Sequence, residues 1–304
     1  MQWADLRGKR LVVLGAGYVG GEAARQAQRA GLEVVALTRN AATAQALEAD
    51  QVPCVVAELH GKQWHSRIEP EADFVVNTVS SAGGGLEGYQ LSYVDGQRSL
   101  VEWTRAGQIA RAVFTSATSV YPQIDGGWVD EGASSAGCTQ AGQLLLEAEN
   151  VLLQADAPLQ KRIVLRLAGI YGPTRHMYLN QLERGETTFS GQGDTYLNLI
   201  HRDDAVRAIL AALLAPELPE LSIFNIADGS PALKQDIVRW LAAQCGQDPA
   251  AIIFDPQAAS ARRTLPDGSV PNRRVTIERA QQILDWNPTY ASFREGYAPI
   301  LKAT

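Results

Sequence analysis

Short apolar runs alternate with amphipathic stretches along much of the chain. The runs are rich in β-branched residues and are bounded by turn residues, which is typical of strands buried on both faces. The stretches between several of them repeat apolar residues at helical spacing. Strands that alternate with helices in this way predict a parallel sheet covered on both faces. The predicted strands of this pattern are residues 11–14, 33–37, 52–57, 73–77, 112–116 and 162–167.

From residue 168 onward the alternation loosens. Two further strands are predicted there, at 196–200 and 221–226, and a substrate-binding lobe is expected in this region. The chain shows no internal repeat and no obvious linker, so we expect the two parts to be intertwined. The predicted helices are residues 22–30, 86–106, 143–153, 203–214 and 233–244, with shorter helical pieces at 63–67 and 277–284.

A glycine motif follows the first predicted strand, where Gly15, Gly17 and Gly20 form G-x-G-x-x-G. In a dinucleotide site the first glycine permits a tight turn and the second lets the pyrophosphate approach the backbone. The third lets helix and strand pack closely, and the helix N-terminus offers free N–H groups to the phosphates. The strand–turn–helix context therefore predicts a dinucleotide site. The predicted cofactor-binding residues are Gly15, Gly17, Tyr18, Val19, Gly20, Thr38, Arg39, Thr78, Val79 and Ser116.

The end of the second predicted strand distinguishes the two nicotinamide cofactors. An acidic residue there hydrogen-bonds the ribose 2′-hydroxyl of NAD, whereas an arginine can pair with the 2′-phosphate of NADP. Thr38 and Arg39 occupy this place, and no acidic residue does. NADP is therefore the predicted cofactor, with NAD as the alternative. A solvated surface role for Arg39 is left open.

Composition and charge narrow the class of protein. The net charge of −6 offers no basic surface, so no nucleic-acid partner is expected. No run approaches the roughly 18 apolar residues that span a bilayer, and residues 1–8 lack the pattern of a secretory signal. A cytoplasmic protein with a small-molecule substrate and no membrane contact is expected, and a homodimer is left open. Cys54, Cys138 and Cys245 fit neither a disulfide framework nor a zinc pattern, so free thiols and no metal are predicted.

Several further motifs appear in an order that resembles the extended short-chain dehydrogenase/reductase family, the NAD-dependent sugar epimerases and dehydratases. They are TSATSVY at 115–121, EAE at 147–149, RLAGIYGP at 166–173, IHRDD at 200–204, FNI at 224–226 and SFREG at 292–296. The resemblance implies an α/β fold, a Rossmann-type doubly wound parallel sheet with a small C-terminal substrate-binding lobe. It implies a dinucleotide-binding domain at 1–167 and a mainly substrate-binding lobe at 168–304, with about 196–226 returning to the first domain.

The same resemblance identifies a departure in the catalytic residues. Redox members of the family use a serine or threonine with a tyrosine and a lysine four residues later. The tyrosine exchanges a proton with the substrate, and the lysine lowers the tyrosine pKa. Counting from Glu149 places Ala141 and Leu145 at the tyrosine and lysine positions, and counting from Glu147 places Thr139 and Gln143 there. Ala117 stands at the serine position, with Thr118 beside it.

Acid–base chemistry therefore needs other groups, and the candidate catalytic residues are Thr118, Tyr121, Tyr171 and His176. Leu197 stands where nucleotide-sugar epimerases usually carry an arginine, while the cations at Arg175, Arg184, Arg273 and Arg274 suit an anionic substrate group. Two functions are weighed. One is an NAD(P)-dependent oxidoreductase or epimerase acting on a small sugar-like or anionic substrate. The other is an inactive NADP-binding sensor or regulatory protein.

Overall fold

A computed structural model describes residues 2–81, 83–258 and 264–303 of the chain. Its strands are β1 (Arg10–Leu14), β2 (Glu33–Thr38), β3 (Cys54–Val56), β4 (Ala72–Asn77), β5 (Ile109–Ala117), β6 (Trp128–Val129), β7 (Leu159–Leu167), β8 (Gly169–Tyr171), β9 (Thr188–Ser190), β10 (Tyr196–Leu197), β11 (Leu199–His201), β12 (Leu221–Ile226), β13 (Ala232–Leu233), β14 (Ile253–Asp255) and β15 (Arg274–Val275). Its helices are α1 (Gly20–Arg29), α2 (Ala41–Ala49), α3 (Gly85–Tyr89), α4 (Gly96–Thr104), α5 (Gln140–Leu153), α6 (Met177–Glu183), α7 (Arg202–Leu214), α8 (Lys234–Gln244), α9 (Glu278–Leu284) and α10 (Phe293–Ala303).

Within the described residues, a seven-stranded sheet has the order β12-β7-β5-β4-β1-β2-β3, and all its neighbouring strands are parallel. The chain runs outward from β1 to β3 and then returns to the other side of β1 with β4. Leu14 at the end of β1 is level with Leu37 of β2 and Asn77 of β4. The strand order reverses here, which leaves a crevice at the carboxyl ends of these strands. The predicted fold class is confirmed.

The two faces of the sheet carry separate hydrophobic cores. Along β1, Leu11 and Val13 pack into the core that contains α1 and α7, and Val12 and Leu14 pack into the core that contains α4 and α5. This alternation follows from the two-residue period of a strand. None of the helices in the described segments is long and apolar enough to cross a membrane. The three cysteines are free thiols.

The C-terminal half adds a smaller hydrophobic cluster beside the end of the sheet. Residues of α6, α8 and α10 form it. Short strand pairs border this cluster: β8 with β11, β9 with β14, and β10 with β13. A further pair joins β6 to β15, so a segment near residue 128 meets one near residue 275. These pairs bring loops from both halves of the chain to the carboxyl edge of the sheet.

Some local predictions differ from the structure for identifiable reasons. The predicted helix 86–106 contains a π-helical turn at Gln90–Asp95, between α3 and α4. The predicted helical piece 63–67 consists of hydrogen-bonded turns. The predicted strand 196–200 is divided at Asn198, whose side chain bonds the backbone of Arg273 and Val275 and so separates β10 from β11. Helices α2, α6 and α10 were not predicted. The apolar spacing of α2 is weak and α6 is only seven residues long, so tertiary packing decides them. In α10 the buried residues Phe293, Tyr297 and Ile300 do follow helical spacing, but the helix also contains Pro299.

Candidate cofactor and active site

The glycine motif forms a tight turn between β1 and α1. Gly15 has φ of 80°, and a Cβ there would lie 2.6 Å from the Val79 nitrogen. A Cβ at Gly20 would overlap the Thr78 hydroxyl and lie 2.9 Å from the Gly15 carbonyl oxygen. The Thr78 hydroxyl in turn donates a hydrogen bond to that same carbonyl oxygen at 2.8 Å. The first and third glycines are therefore required by the packing of the turn itself.

Gly17 has a different environment from its neighbours. A Cβ at Gly17 would find no atom closer than the Gly15 carbonyl oxygen, at 3.9 Å. It borders a cavity of about 520 Å³ at the carboxyl edge of the sheet, beside the N-terminal end of α1. An open backbone next to a helix N-terminus suits a phosphate group. The cavity is lined by Gly15, Gly17, Tyr18, Val19, Leu37, Thr38, Arg39, Asn40, Thr43, Ala57, Glu58, Leu59, His60, Thr78, Val79, Ser80, Ser92, Tyr93, Thr115, Ser116, Ala117, Leu167, Ala168, Ile170 and Arg175.

The predicted cofactor residues converge on this cavity, which we call the first cavity. All of them line it except Gly20, whose place is in the packing of the turn. Arg39 lies at the β2–β3 end, with 43% of its side chain exposed and its guanidinium 4.0 Å from the Glu58 carboxylate. Thr38 is buried, and its hydroxyl accepts a hydrogen bond from the Asn40 nitrogen. Arg39 is therefore partly free to meet a ligand and partly balanced by an acidic neighbour.

A second cavity of about 480 Å³ adjoins the first. Five residues line both cavities, so the two form a continuous crevice: Ala117, Leu167, Ala168, Ile170 and Arg175. The second cavity lies between the end of the sheet and the C-terminal cluster. Its remaining lining residues are Thr118, Ser119, Thr139, Gly169, Tyr171, Met177, Tyr178, Thr195, Tyr196, Leu197, Asn198, Leu199, Val270, Pro271, Arg273 and Tyr297. The crevice has the layout of a cofactor site next to a substrate site.

The four catalytic candidates occupy different surroundings. Thr118 and Tyr171 line the second cavity. Tyr121 is fully buried and lines neither cavity. His176 also lies outside both linings, and its Nδ1 is 3.2 Å from the Gly172 carbonyl oxygen. The structure thus brings two of the four residues together at the crevice.

Tyr121 belongs to a buried polar network below the crevice. Its hydroxyl donates to the Asn225 side chain at 2.8 Å and accepts from the Arg166 guanidinium at 2.9 Å. Arg166 also pairs with Glu149 at 2.7 Å, and the Ser116 hydroxyl donates to the same carboxylate at 2.5 Å. Burial disfavours the charge of Arg166, but its bonds to Glu149 raise its pKa. Burial raises the pKa of Tyr121, so its proton is firmly held.

Tyr171 is also buried, but its hydroxyl has no hydrogen-bond partner within the described part of the chain. Its ring is stacked on Tyr297 with centroids 4.7 Å apart and contacts His201 edge-on at 5.5 Å. A Cβ at Gly296 would overlap the Tyr171 hydroxyl. Burial, with the nearby charge of Asp228, raises the pKa of Tyr171. The phenol is therefore neutral at ordinary pH.

The residues that counting from Glu149 or Glu147 predicts for the tyrosine and lysine positions lie at the start of α5. Ala141 and Leu145 are buried among apolar neighbours. Thr139 caps the helix by accepting a hydrogen bond from the Gly142 nitrogen, and Gln143 is exposed. Neither register places a phenol or an ammonium group at the crevice.

Three lining residues of the first cavity that were not predicted carry ionisable side chains: Glu58, His60 and Tyr93. Glu58 and His60 directly follow the third strand, so the rule that ligands bind at the carboxyl ends of parallel strands could have identified them. Tyr93 lies within the predicted helix 86–106, where nothing in the local pattern separates it from a core aromatic residue. His201 caps the start of α7, where its Nδ1 accepts a hydrogen bond from the Asp203 nitrogen.

The solved structures that this chain resembles share its fold over nearly their whole length. MoeE5 in complex with UDP-glucose and NAD is 22% identical, with a TM-score of 0.79 over 96% of this chain and 97% of that one. The UDP-glucose 4-epimerase of Thermotoga maritima with UDP-glucose is 18% identical, with a TM-score of 0.82 over 96% and 97%. The DesIV double mutant of Streptomyces venezuelae, a dTDP-glucose 4,6-dehydratase with NAD and DAU bound, is 20% identical, with a TM-score of 0.80 over 96% of each chain.

No curated protein matches the sequence at a significant level. The model of the NAD dependent epimerase/dehydratase family matches residues 11–227, which is well over half of the chain. This range contains the glycine turn, the buried network and most of both cavity linings. The chain belongs to the NAD dependent epimerase/dehydratase family.

Proposed function

We propose that this protein is an NADP-dependent oxidoreductase of the epimerase/dehydratase type. The observation that carries the proposal is the open backbone at Gly17, at one side of a cavity that extends to Arg39. A pyrophosphate would lie against Gly17 and the N-terminus of α1. Arg39 would pair with the 2′-phosphate of the adenosine ribose.

The opposite end of the first cavity would hold the nicotinamide. This end is lined by Ser116, Ala117, Leu167 and Ala168, at the carboxyl ends of β5 and β7, and it opens directly into the second cavity. When bound there, the cofactor supplies or accepts a hydride. The apolar residues at this junction would exclude water from the reacting atoms.

The second cavity would hold a small sugar-like or anionic substrate. Thr118 and Tyr171 offer hydroxyl groups there, and Arg175 lies at the junction with the first cavity. The structural neighbours named above bind UDP-glucose or DAU, which supports a sugar-like class. Leu197 also lines this cavity, and an apolar residue there disfavours a nucleotide diphosphate at that position. A smaller anion held by Arg175 fits this lining better.

Calorimetric titration with NADP and NAD tests the cofactor assignment. The wild type is expected to bind NADP more tightly than NAD. Arg39→Ala should lose tenfold or more in NADP affinity, since a charge-assisted pair with phosphate contributes about 1.5–3 kcal/mol. Arg184→Ala is the matched control, because Arg184 lies outside both linings and pairs with Glu186. Equal affinities for the two cofactors, unchanged in Arg39→Ala, would refute the assignment.

The second candidate is a cofactor sensor without chemistry, and one observation favours it. The buried apolar residues Ala141 and Leu145 occupy the catalytic positions under one register. The two candidates are separated by following NADPH absorbance with sugars, sugar phosphates and aldehydes as substrates. Turnover of any of them supports the enzyme. Tight NADP binding without turnover of any of them supports the sensor.

A further inference from the structure

We propose that Tyr93, which lines the same cavity as Arg175, is the proton donor of this enzyme and acts in place of a tyrosine–lysine pair. The proposal rests on the proposed oxidoreductase function, because it supplies the acid that such chemistry needs. Both residues line the first cavity, and Arg175 lines the second as well. They therefore lie at the crevice, unlike Tyr121 and His176.

Tyr93 reaches the cavity from an unusual piece of backbone. It lies in the π-helical turn Gln90–Asp95 between α3 and α4. Such turns widen a helix locally and are frequent at functional sites. The Tyr93 ring lies edge-on to Phe114 of β5, with centroids 6.2 Å apart. It thus lies against the carboxyl half of β5, and it lines the first cavity together with Ser116, which belongs to the proposed nicotinamide end.

Two other tyrosine hydroxyls near the crevice, unlike that of Tyr93, already donate to protein acceptors. Tyr18 donates its proton to the Pro173 carbonyl oxygen at 2.8 Å, and Tyr121 donates to Asn225. The Ser81 backbone lowers the pKa of the Tyr93 hydroxyl. Within the described segments, no protein acceptor takes the Tyr93 proton, so this proton is available to a ligand in the cavity.

Charge and burial set the direction in which Tyr93 acts. Burial raises the pKa of Tyr93 to about 12, while the Ser81 hydrogen bond and the positive charge of Arg175 lower it. The phenol is therefore protonated at neutral pH and serves as an acid. The positive charge of Arg175 stabilises the phenolate that remains after the proton has left.

The step is the reduction of a substrate carbonyl group. As the carbonyl carbon gains a hydride, its oxygen takes the electron pair of the π bond and the proton of the Tyr93 hydroxyl. The product is an alcohol, and the two electrons come from the reduced nicotinamide of the proposed function. The Tyr93 phenolate then regains a proton from solvent. General acids of this kind contribute about 10²–10⁴-fold in rate.

A titration without substrate or cofactor tests the pairing of Tyr93 with Arg175. The nine tyrosines are replaced by 3-fluorotyrosine, which lowers every phenol pKa into the range of a folded protein. Fluorine NMR follows each resonance with pH, and Tyr93→Phe assigns the signal of residue 93. Arg175→Gln should raise the pKa of this residue, whereas Arg175→Lys and the control Arg184→Gln should not. An unchanged titration in Arg175→Gln would overturn the pairing.

Kinetics test the proton transfer itself. The probes are glyceraldehyde, glyceraldehyde 3-phosphate and dihydroxyacetone phosphate, each with NADPH. Tyr93→Phe should lower kcat at least 100-fold with unchanged NADPH affinity and thermal stability. Tyr89→Phe is the matched control, because its ring lies 5.1 Å from Tyr93 but outside both linings, and it should keep full activity.

The outcomes separate this proposal from the function on which it rests. Tyr93→Phe with kcat within threefold of an active wild type overturns the role of Tyr93 and leaves the oxidoreductase function standing. A wild type that binds NADPH but reduces none of the three probes overturns both. A 100-fold loss in Tyr93→Phe, together with a pH profile of kcat that shifts when residue 93 is 3-fluorotyrosine, supports both.

Discussion

The carboxyl edge of the sheet is built differently at its two ends. At β1 and β4, the surface of the first cavity is mainly backbone, formed by the glycine turn and braced by the Thr78 hydroxyl. At β5, β7 and β12, charged side chains lie just below the surface and bond to one another. Glu149 and Arg166 are 2% and 6% exposed there. One end offers open polar backbone, and at the other end buried charged side chains bond to one another.

From this difference we expect some substitutions to change cofactor binding and others to change the stability of the fold. Backbone at an open cavity does little for the fold until a ligand arrives, so altering it should change affinity alone. A buried ion pair contributes little to net stability while intact, but a single partner left behind is costly. The two ends should therefore respond to substitution in opposite ways.

The largest effect is expected from Glu149→Ala. It leaves the buried Arg166 guanidinium without its carboxylate, and we expect the free energy of unfolding to fall by about 3–5 kcal/mol. Urea denaturation measures this. The double variant Glu149→Leu with Arg166→Met should recover much of the loss, because it removes both charges. A loss below about 1 kcal/mol would contradict the importance of the pair.

Gly17→Val should act on binding alone. Its side chain would occupy the open space beside α1, so NADP affinity should fall at least about 100-fold, or roughly 2.7 kcal/mol. The thermal midpoint should stay near that of the wild type. Gly132→Val, in an exposed loop outside both linings, is the control. If Gly17→Val bound NADP as tightly as the wild type, the open backbone at this end of the sheet would not be the cofactor site.

Gly20→Ala, in contrast to Gly17→Val, should lower the stability of the fold, since its Cβ would meet Thr78.

The β12 end should also carry a pH dependence. Burial raises the pKa of Asp228 to about 7, above the value of about 3.9 in an unfolded chain. The folded state therefore holds this proton more tightly. The contribution of Asp228 to stability should be fully present below pH of about 4 and be lost as pH rises towards 7, by up to about 1.4 kcal/mol per pH unit. Urea denaturation at pH 5 and pH 8 should show this decrease in the wild type, and Asp228→Asn should lessen it.

Tyr121→Phe should cause a smaller loss of stability at the β5–β7–β12 end. It removes one acceptor of Arg166 and one donor to Asn225. The expected cost is about 1–2 kcal/mol of unfolding free energy, with NADP affinity and kcat unchanged. Thermal denaturation and steady-state kinetics measure the two parts. A large loss of kcat without loss of stability would instead place the Tyr121 hydroxyl in the chemistry.

The smallest effect is expected from Glu58→Gln at the β2–β3 end. Removing this half-exposed carboxylate frees Arg39, 4.0 Å away, and lessens repulsion of a 2′-phosphate. NADP affinity should rise only about two- to fivefold, because an exposed charge pair contributes little free energy. NAD affinity should change less. Calorimetry with both cofactors measures the ratio. A fall in NADP affinity would indicate that Glu58 itself contacts the cofactor.

Local sequence patterns were sufficient to predict most strands of the seven-stranded sheet. The predicted strand 221–226 matches β12 in both bounds, and the glycine turn lies between β1 and α1 as predicted. These elements are decided by short-range periodicity and by backbone sterics at Gly15. The candidate acid–base groups were harder to predict. The residues around a tyrosine in a family-like motif, and around one in an ordinary helix, do not show which hydroxyl faces the crevice. Tyr121 and Tyr93 look alike in sequence and differ in what surrounds them.

Residue patterns along the chain were enough to predict the alternation of strands and helices and the glycine turn, and to find no tyrosine–lysine pair at the start of α5. Which polar groups hydrogen-bond to each other, and which face the crevice, became known only from the tertiary structure. Ser116, Glu149 and Arg166 meet because α5 packs against β5 and β7, and Arg175 and Tyr93 come to line the same cavity. Such contacts join residues far apart in the chain, so their burial and charge depend on strand order and helix packing rather than on local pattern.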